Sequence, residues 1–415
     1  MPLRDRFFLA KEHTQAGTFA SGRANVQLLS DFRVRISGTI RPTAGWLFRT
    51  QGKSIMTGPI DVDDVILNFD PARVQSRFRM AGAGLELVSA EAALPGAVPW
   101  PSGTAPKPAP LNAAPAETDD LSRFHGYDAV VVTWTAAEAS ALAALFTPGY
   151  PVSAWYEYRH QIDTYIPLVT GAKAPFRSTE PDMARYYHSL GLYFPCTIGT
   201  KRILLFKSGL HLDYDGPATP VQRLMGEIAT TVAPRIFVTT GTGGGIGADV
   251  HLGDVVIAGT VRFDCQTQFR QKPFANKQYK ASAVSAGALQ AMTPALMSVN
   301  AARIPGALAV PKIFSSSADA VVTTDFFAFD DSTNHYKLQG LGRACDMGDA
   351  MVADALQSAP HISWYSIRNA SDPQIPNPEN NIHSASQQAA LIYAKYGGLT
   401  TAASVIATWA IISNA

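Results

Sequence analysis

A glycine-rich stretch is the part of this sequence best suited to binding a small ligand. Residues 239–259 read TTGTGGGIGADVHLGDVVIAG, directly after the apolar run RIFV. The glycines concerned are Gly241, Gly243, Gly244, Gly245 and Gly247. Because glycine has no Cβ, backbone N–H groups here can approach and cradle an anion or a ribose oxygen. The pattern indicates a ligand-binding loop, and a glycine turn needed only for packing is the simpler alternative.

The same glycines formally satisfy a dinucleotide-binding pattern. Gly243, Gly245 and Ala248 fit GxGxxA, but that motif requires a helix to begin at its last position. HLGDVVIAG follows instead, and its turn at Gly253 and Asp254 leads into an apolar run typical of another strand. The dinucleotide interpretation is therefore disfavoured.

Signatures of other chemistries are missing from the sequence. HExxH and GxSxG do not occur, and the nine histidines and three cysteines do not cluster at metal-ligand spacing, so we expect no metal and no cofactor. His211 and Asp213 follow a predicted strand and are in a position to reach a ligand. Such a pair more often satisfies its own hydrogen bonds within a loop.

Strands alternate with helices in the part of the chain that must position the glycines. YDAVVVTW precedes the helix-forming TAAEASALAALF, and KRILLFKSG precedes PVQRLMGEIATTVAP and RIFVTTG. This order predicts an α/β fold with a mostly parallel central sheet flanked by helices. In such folds ligands bind beyond the carboxyl ends of the strands, where the glycine stretch lies.

The chain divides into three predicted segments. Residues 1–93 contain alternating apolar and polar residues, as in FRVRISGTI, and predict a small β-rich N-terminal domain. Residues 94–120 include seven prolines and are interpreted as a linker. Residues 121–415 form the α/β domain, and its last long apolar run, 400–412, is too short to span a membrane and is predicted to be a buried helix.

The balance of charges excludes several classes of protein. Lys and Arg number 34 against 33 Asp and Glu, a net charge of 34 − 33 = +1, and 47% of residues are hydrophobic. A nucleic-acid binder usually has a basic excess, and a disordered chain has low hydrophobicity with a high net charge. Charged residues interrupt the N-terminus, and the cysteines are few and scattered. We therefore expect a cytoplasmic protein that binds neither nucleic acid nor membrane.

Several segments together resemble a known family. A strand followed by TGTGGGIG, GDVVIAG and VRFD resembles the core of the nucleoside phosphorylase and nucleosidase superfamily, which includes purine nucleoside phosphorylases and methylthioadenosine/S-adenosylhomocysteine nucleosidases. YDAVVVTWTAAEASAL, IFSSSADAVV, CDMGDAMVADAL and RNASDPQIP resemble other family segments in the same order. The resemblance covers residues 127–415 or so, and implies cleavage of an N-glycosidic bond by a homo-oligomer.

The resemblance also implies catalytic roles. Asp372, in RNASD, corresponds to the general acid that protonates the leaving purine, and Glu138 to the carboxylate that orients the attacking water. Phosphorylases of the family supply cations to phosphate after the first strand, whereas TWTAAEAS contains neither Arg nor Lys. Hydrolysis of a purine nucleoside or nucleotide is the predicted function. A phosphate-dependent phosphorylase and a non-catalytic nucleoside-binding or assembly module are the alternatives.

The substrate contacts implied by the resemblance include one departure from the family. The residues assigned to substrate binding are Gly241, Thr242, Gly243, Phe263, Met347, Asp349 and Ser371. The family grips the ribose hydroxyls with a glutamate after a methionine, but Gly348 follows Met347 here. Either Asp349 or Asp346 takes over this role, or the ribose grip is altered. Ser317 and Asp319 are weaker candidates, because SSSAD also forms an ordinary helix cap.

Overall fold

The computed structural model describes residues 98–169, 189–210, 212, 219–299 and 306–415, and the backbone of six short strands before them. The chain divides into two compact units. One comprises Met1–Phe69 and Val74–Ser89, and the other Asp70–Arg73 and Ala90–Ala415.

The N-terminal unit contains three antiparallel strand pairs. They are β1 (Asn25–Leu28) with β2 (Val34–Ser37), β3 (Arg49–Thr50) with β4 (Lys53–Ser54), and β5 (Phe78–Ala81) with β6 (Gly84–Leu87). Strand β2 lies in the alternating sequence FRVRISGTI, where the period of two predicts a strand. The β-rich domain as a whole and its boundary at residue 93 stay predictions.

The described part of the larger unit has one extended sheet and six α-helices. Its strands are β7 (Pro106–Pro108), β8 (Ala129–Thr133), β9 (Tyr156–Tyr158), β10 (Gly191–Ile198), β11 (Lys201–Ser208), β12 (Ile236–Gly245), β13 (Val255–Ile257), β14 (Thr260–Asp264), β15 (Gln278–Lys280), β16 (Ile313–Phe314), β17 (Ala320–Thr324), β18 (Ala344–Asp346) and β19 (Ser363–Asp372). Its helices are α1 (Ala136–Phe146), α2 (Ile162–Val169), α3 (Pro220–Val232), α4 (Ala286–Leu296), α5 (Asp349–Ala355) and α6 (Ile382–Ser413).

The centre of the sheet is parallel and its edges are mixed. Strands β11, β8, β12 and β19 run parallel side by side, as the alternation of strands and helices predicts. Strands β14, β17 and β18 also run parallel, as do β13 and β16. Strand β10 pairs antiparallel with β11, β15 with β14, and β18 with β12. The prediction of a mostly parallel sheet is therefore confirmed only in part. Strands β10 and β11 form a hairpin around Gly199, and a connection this short permits only antiparallel pairing.

The end of the Pro-rich segment packs on the larger unit. Strand β7 pairs antiparallel with β10 at the sheet edge, where proline is tolerated because one side of the strand needs no hydrogen bonds. The ring of Trp100 lies 4.9 Å from that of Trp409, whose Nε1 donates to the Thr104 carbonyl at 2.8 Å. The described part of the predicted linker is thus attached to the domain surface. Residues 94–97 lie outside the described residues.

Helix α6 is the central helix of one face of the sheet. Its C-terminal half packs with β12, β13 and β19 in an apolar cluster that includes Ile406 and Trp409. Within the described residues, Lys395–Ser413 is the one segment long and apolar enough to cross a membrane, and 89% of it is buried. Burial of this kind is typical of a core helix, and the buried helix predicted for residues 400–412 is confirmed.

Candidate functional site

The glycines form the end of a strand instead of a free loop. Strand β12 continues to Gly245, because β19 pairs along its length on one side and β18 pairs with Gly244 and Gly245 on the other. The carboxyl ends of β8, β12 and β19 meet at one edge of the sheet. Residues after β8 and at the end of β19 therefore flank the glycines, as an open α/β sheet places its ligand-binding residues.

Glu138 lies in the first turn of α1, directly against the glycines. Thr135 and Glu138 form a capping box at the start of the helix. Glu138 Oε2 accepts hydrogen bonds from the Thr133 hydroxyl at 2.8 Å and from the backbone N–H groups of Trp134 and Thr135 at 2.9 and 2.8 Å. Oε1 accepts from the backbone N–H and the hydroxyl of Thr242, both at 2.6 Å. These donors occupy both oxygens of the carboxylate.

The environment keeps Glu138 ionised. Its side chain is buried, which by itself raises the pKa, but the Arg368 guanidinium 3.7 Å away and the hydrogen bonds from Thr242 and Thr135 lower the pKa below its usual range. A carboxylate with a lowered pKa and no free oxygen is a poor proton acceptor. The predicted role as a base that receives a proton from water is therefore not supported by this geometry. Thr242 likewise directs both of its donors at Glu138 and not at a substrate.

Gly241 allows this contact. Its φ is +154°, and a Cβ at this position would lie 2.4 Å from the Glu138 carboxyl carbon. Any side chain here would displace the carboxylate from Thr242. The close approach of Glu138 and the positive φ explain glycine at this position.

We expect Gly241→Ala to destabilise the protein by roughly 1–3 kcal/mol, because the added methyl group overpacks a buried carboxylate. Gly226→Ala is the matched control. Gly226 lies within α3, and a methyl group added there would meet no other atom within 4 Å, so the change should stabilise the helix by about 0.5–1 kcal/mol. Urea unfolding of both variants measures the difference, and equal midpoints would contradict the clash.

Asp372 ends β19 on the other side of the glycines. Its side chain is 5% exposed, and burial raises its pKa from 3.8 to about 7, although the hydrogen bond from Ser371 lowers it. The Ser371 hydroxyl lies 2.9 Å from Asp372 Oδ1 and 3.2 Å from the Gly243 carbonyl. Gly244 has no side chain to displace Oδ2, which would be 3.2 Å from a Cβ there. A carboxyl group that is partly protonated at neutral pH therefore lies beside the end of β12.

Asp330 links the segment after β12 to the segment after Asp372 by hydrogen bonds. It is 1% exposed and its Oδ2 accepts from the Gly247 N–H and from Gln374 Nε2, both at 2.9 Å. The neighbouring Asp331 forms a bridge with Ile375. The segment after Asp372 is thus held to the segment after β12.

Arg368 is the centre of a buried network of charges. Its guanidinium forms ion pairs with Asp349 and, at 3.1 Å, with Asp346, and its Nη1 donates to the Thr242 carbonyl at 3.2 Å. Although burial disfavours the cation, Asp349 and Asp346 raise the pKa of Arg368. Three carboxylates, those of Glu138, Asp346 and Asp349, thus share one cation.

Both aspartates near Met347 are fully engaged. Asp349 is 0% exposed and accepts from the Ser366 hydroxyl at 2.5 Å as well as from Arg368. Asp346 accepts from the Thr323 hydroxyl and from the N–H groups of Gly348 and Asp349. Burial and the neighbouring Asp349 raise the pKa of Asp346. The role of ribose grip predicted for Asp349, or alternatively Asp346, is not supported, since neither presents a free oxygen.

Other predicted contacts have different outcomes. Phe263 is fully buried, with its ring 4.8 Å from that of Phe274, because its face of β14 points into the core. The contact of Phe263 with a substrate stays a prediction. Met347 is buried, and its contact with the sugar stays a prediction. Asp319 accepts from the Ser316 N–H at 2.8 Å in an exposed turn. This turn leads into β17, so the alternative of a helix cap for SSSAD is wrong.

Two functional candidates were not predicted from the sequence. Arg368 is one charged residue in the apolar strand ISWYSIRNAS. Because a buried charge requires partners, its position in an apolar strand was the available signal of a buried ion pair. Trp134 packs its ring against the Arg368 guanidinium, with 4.9 Å between the guanidinium carbon and the ring centroid. No group of metal-ligating side chains occurs in the described part of the chain. His211 and Asp213 lie outside the described residues.

Comparison with known proteins gives one family match. The family model described as the phosphorylase superfamily matches residues 160–396, more than half of the chain. A search of curated proteins finds no match.

Solved structures give distant matches. The 5'-methylthioadenosine/S-adenosylhomocysteine nucleosidase of Helicobacter pylori matches with 12% identity and a TM-score of 0.43, covering 70% of this chain and 100% of that one. The Neisseria meningitidis enzyme of the same name matches with 16% identity and a TM-score of 0.42, covering 69% and 98%. Futalosine hydrolase of H. pylori matches with 12% identity and a TM-score of 0.44, covering 71% and 100%.

Proposed function

Because the chain belongs to the phosphorylase superfamily, we propose that it hydrolyses the N-glycosidic bond of a purine nucleoside or nucleotide and releases the base and the sugar. The observation that carries the proposal is Asp372, a buried acid with a pKa of about 7 at the end of β19 beside the glycines. General acids that work at neutral pH need a pKa in this range.

The proposed reaction replaces the purine at the anomeric carbon with water. Asp372 donates its proton to a purine ring nitrogen while the bond from the anomeric carbon to the purine breaks, and the bonding electrons leave with the base. Water adds to the anomeric carbon, and its proton passes to the solvent. Asp372, ionised by its donation to the purine, takes up a proton from the solvent before the next turnover. Glu138 holds Thr242 and balances the charge of Arg368, and we do not assign it the proton of the attacking water.

Hydrolysis is preferred to phosphorolysis because of the state of Arg368. Arg368 contacts the glycine strand through the hydrogen bond from its Nη1 to the Thr242 carbonyl. Its partners are Asp349, Asp346 and Glu138. A phosphate ion would have to displace carboxylates from Arg368 and would meet their negative charge.

Base release from a panel of purine nucleosides and nucleotides tests the proposal. We expect turnover in phosphate-free buffer, with free sugar as the second product and no stimulation by phosphate. Strict dependence on phosphate, with sugar phosphate formed, would establish the phosphorylase alternative instead. Tight nucleoside binding without base release from any member of the panel would establish a non-catalytic binding module.

We expect activity to fall as the pH rises through about 7. The reaction requires protonated Asp372, whose pKa is about 7, so kcat should decrease by up to tenfold per pH unit on the alkaline side. Since the raised pKa means that the folded state holds a proton lost on unfolding, the stability contributed by protonated Asp372 is also lost as the pH rises through 7. A pH profile of kcat measures this limb. An alkaline limb that begins above pH 9 would contradict the assignment.

The cytoplasmic location and the homo-oligomer stay predictions. Fractionation of the producing cells tests the first. Light scattering of the full chain tests the second, and a mass equal to one chain would contradict it.

A further inference from the structure

Trp134 is placed to contact the part of a substrate farthest from Asp372. It directly follows β8, which pairs with β12, and β12 pairs in turn with β19, the strand that ends at Asp372. Two strand spacings separate β8 from β19, roughly 10 Å. A nucleoside whose base is protonated by Asp372 therefore has its sugar over the end of β12, toward Trp134.

Trp134 and Gly348 fit closely together. A Cβ on Gly348 would lie 2.7 Å from Trp134 Cζ2 and 2.9 Å from Cε2. The backbone angles of Gly348 are φ −153° and ψ −31°, and the contact with the indole leaves no room for a Cβ there. The indole thus occupies the space that a side chain at position 348 would fill, at the start of α5.

Asp346 and Asp349, on either side of Gly348, do not take the place of a sugar-binding side chain at position 348. Asp346 accepts from the N–H groups of Gly348 and Asp349, and Asp349 is bound to Arg368 and Ser366. Asp349 is fully buried, and Asp346 is 7% exposed. A pair of sugar hydroxyls would therefore find no free carboxylate oxygen here to accept two hydrogen bonds.

The indole N–H of Trp134 has no hydrogen-bond partner at this position. Trp134 is 3% exposed, and its Nε1 is buried with no hydrogen-bond acceptor. A buried donor without an acceptor is unfavourable and is satisfied when a bound ligand brings an oxygen. A carboxylate accepts from the two hydroxyls of ribose, whereas an indole N–H donates to a single oxygen.

On the basis of the proposed function, we propose that Trp134 and Gly348 set the sugar specificity of the site. The indole N–H donates to one sugar oxygen that ribose and 2-deoxyribose share, and no carboxylate selects for the 2'-hydroxyl. The enzyme therefore accepts 2'-deoxynucleosides about as well as ribonucleosides.

Kinetics with adenosine and 2'-deoxyadenosine, or with the corresponding pair of whichever purine is released fastest, test the wild-type protein. We expect kcat/KM values within about threefold of each other. A preference for the ribonucleoside of thirtyfold or more would overturn the inference while leaving hydrolysis established. If no nucleoside releases base, the proposed function fails, and calorimetric affinities for the same two ligands then test the inference by the same ratio.

Trp134→Phe removes the indole N–H and keeps most of the ring. We expect it to lower kcat/KM about tenfold for both sugars, with the ratio between them unchanged. Trp364→Phe is the matched control, because Trp364 Nε1 is also buried without a partner but lies near the opposite end of β19. Equal effects of the two substitutions, or no effect of Trp134→Phe, would overturn the role of the N–H.

The double variant Trp134→Ala/Gly348→Glu tests the pair together. Removing the indole makes room for a carboxylate at position 348, and we expect the ribonucleoside to become favoured by about tenfold. Thermal unfolding establishes that the variant is folded. A folded variant with the wild-type ratio of the two sugars would overturn the proposal that this pair sets sugar specificity.

Discussion

Asp372→Asn should reduce kcat for base release by about 10²–10⁴-fold, the usual contribution of a general acid. The amide has nearly the same shape, so it can still occupy the space beside Gly244, but it has no proton to give to the leaving purine. Substrate affinity should change less than kcat, since the proton is needed mainly in the transition state. Steady-state kinetics with the fastest nucleoside measure both parameters.

Two controls separate this effect from a general disturbance. Asp163→Asn makes the same chemical change at an exposed position in the first turn of α2 and should leave kcat within about twofold of wild type, as expected for a surface substitution. The alkaline limb of the pH profile near 7 should be absent from any residual activity of Asp372→Asn. If this variant retains most of the wild-type kcat, Asp372 is not the general acid.

Arg368→Met should lower the free energy of unfolding by roughly 3–5 kcal/mol, as happens when one partner of a buried ion pair is removed. Arg368 is 3% exposed and is bound to Asp349 and Asp346. Without the cation, the buried carboxylates repel one another and must take up protons or water. We expect the midpoint of thermal unfolding to fall on the order of 10 °C.

The pH dependence identifies the cause of this loss. Burial and Asp349 already raise the pKa of Asp346 in the presence of Arg368, and removal of the cation should raise it further. The folded variant then binds more protons than the unfolded chain, so its stability should recover as the pH falls from 8 to 6. Loss of packing alone would give the same deficit at both pH values and would contradict the electrostatic explanation.

Two further substitutions complete the comparison. Arg368→Lys keeps one positive charge but not the forked geometry that contacts two carboxylates, and should recover part of the stability. Arg123→Ala breaks an exposed ion pair with Asp119 at 3.1 Å and should change stability by less than about 1 kcal/mol. Urea unfolding of Arg368→Met, Arg368→Lys and Arg123→Ala measures the free energy of unfolding of each, and we expect the loss to decrease in that order.

The sequence predicts those features of the site that depend on local order along the chain. The capping box of Thr135 and Glu138 is a four-residue pattern, and it starts α1 where the apolar run of β8 ends. The position of Asp372 at the end of a strand follows from the apolar sequence before it. The family membership predicted from the order of several such segments is confirmed by the match to residues 160–396.

Pairing between distant segments has no comparable local signal. Glu138 looks like an ordinary first-turn acid, and 104 residues separate it from its partner Thr242. Phe263 was predicted to face the substrate, but whether its side of β14 faces a ligand or the core depends on the elements that cover the sheet. For the same reason the edge strand β7 could not be recognised in a Pro-rich segment before its partner β10 was known.

By itself, the sequence determined the family, the alternation of strands and helices, and the strand end on which the acid lies. Those features depend on residue type and short-range spacing. Only the tertiary structure decided that Asp349 binds Arg368 and that the Trp134 indole fills the space beside Gly348. Which buried group neutralises a charge or fills a space depends on side chains brought together from separate strands and helices. Long-range packing therefore decides the partners of the buried groups, although the strand end that carries Asp372 was already recognisable in the sequence.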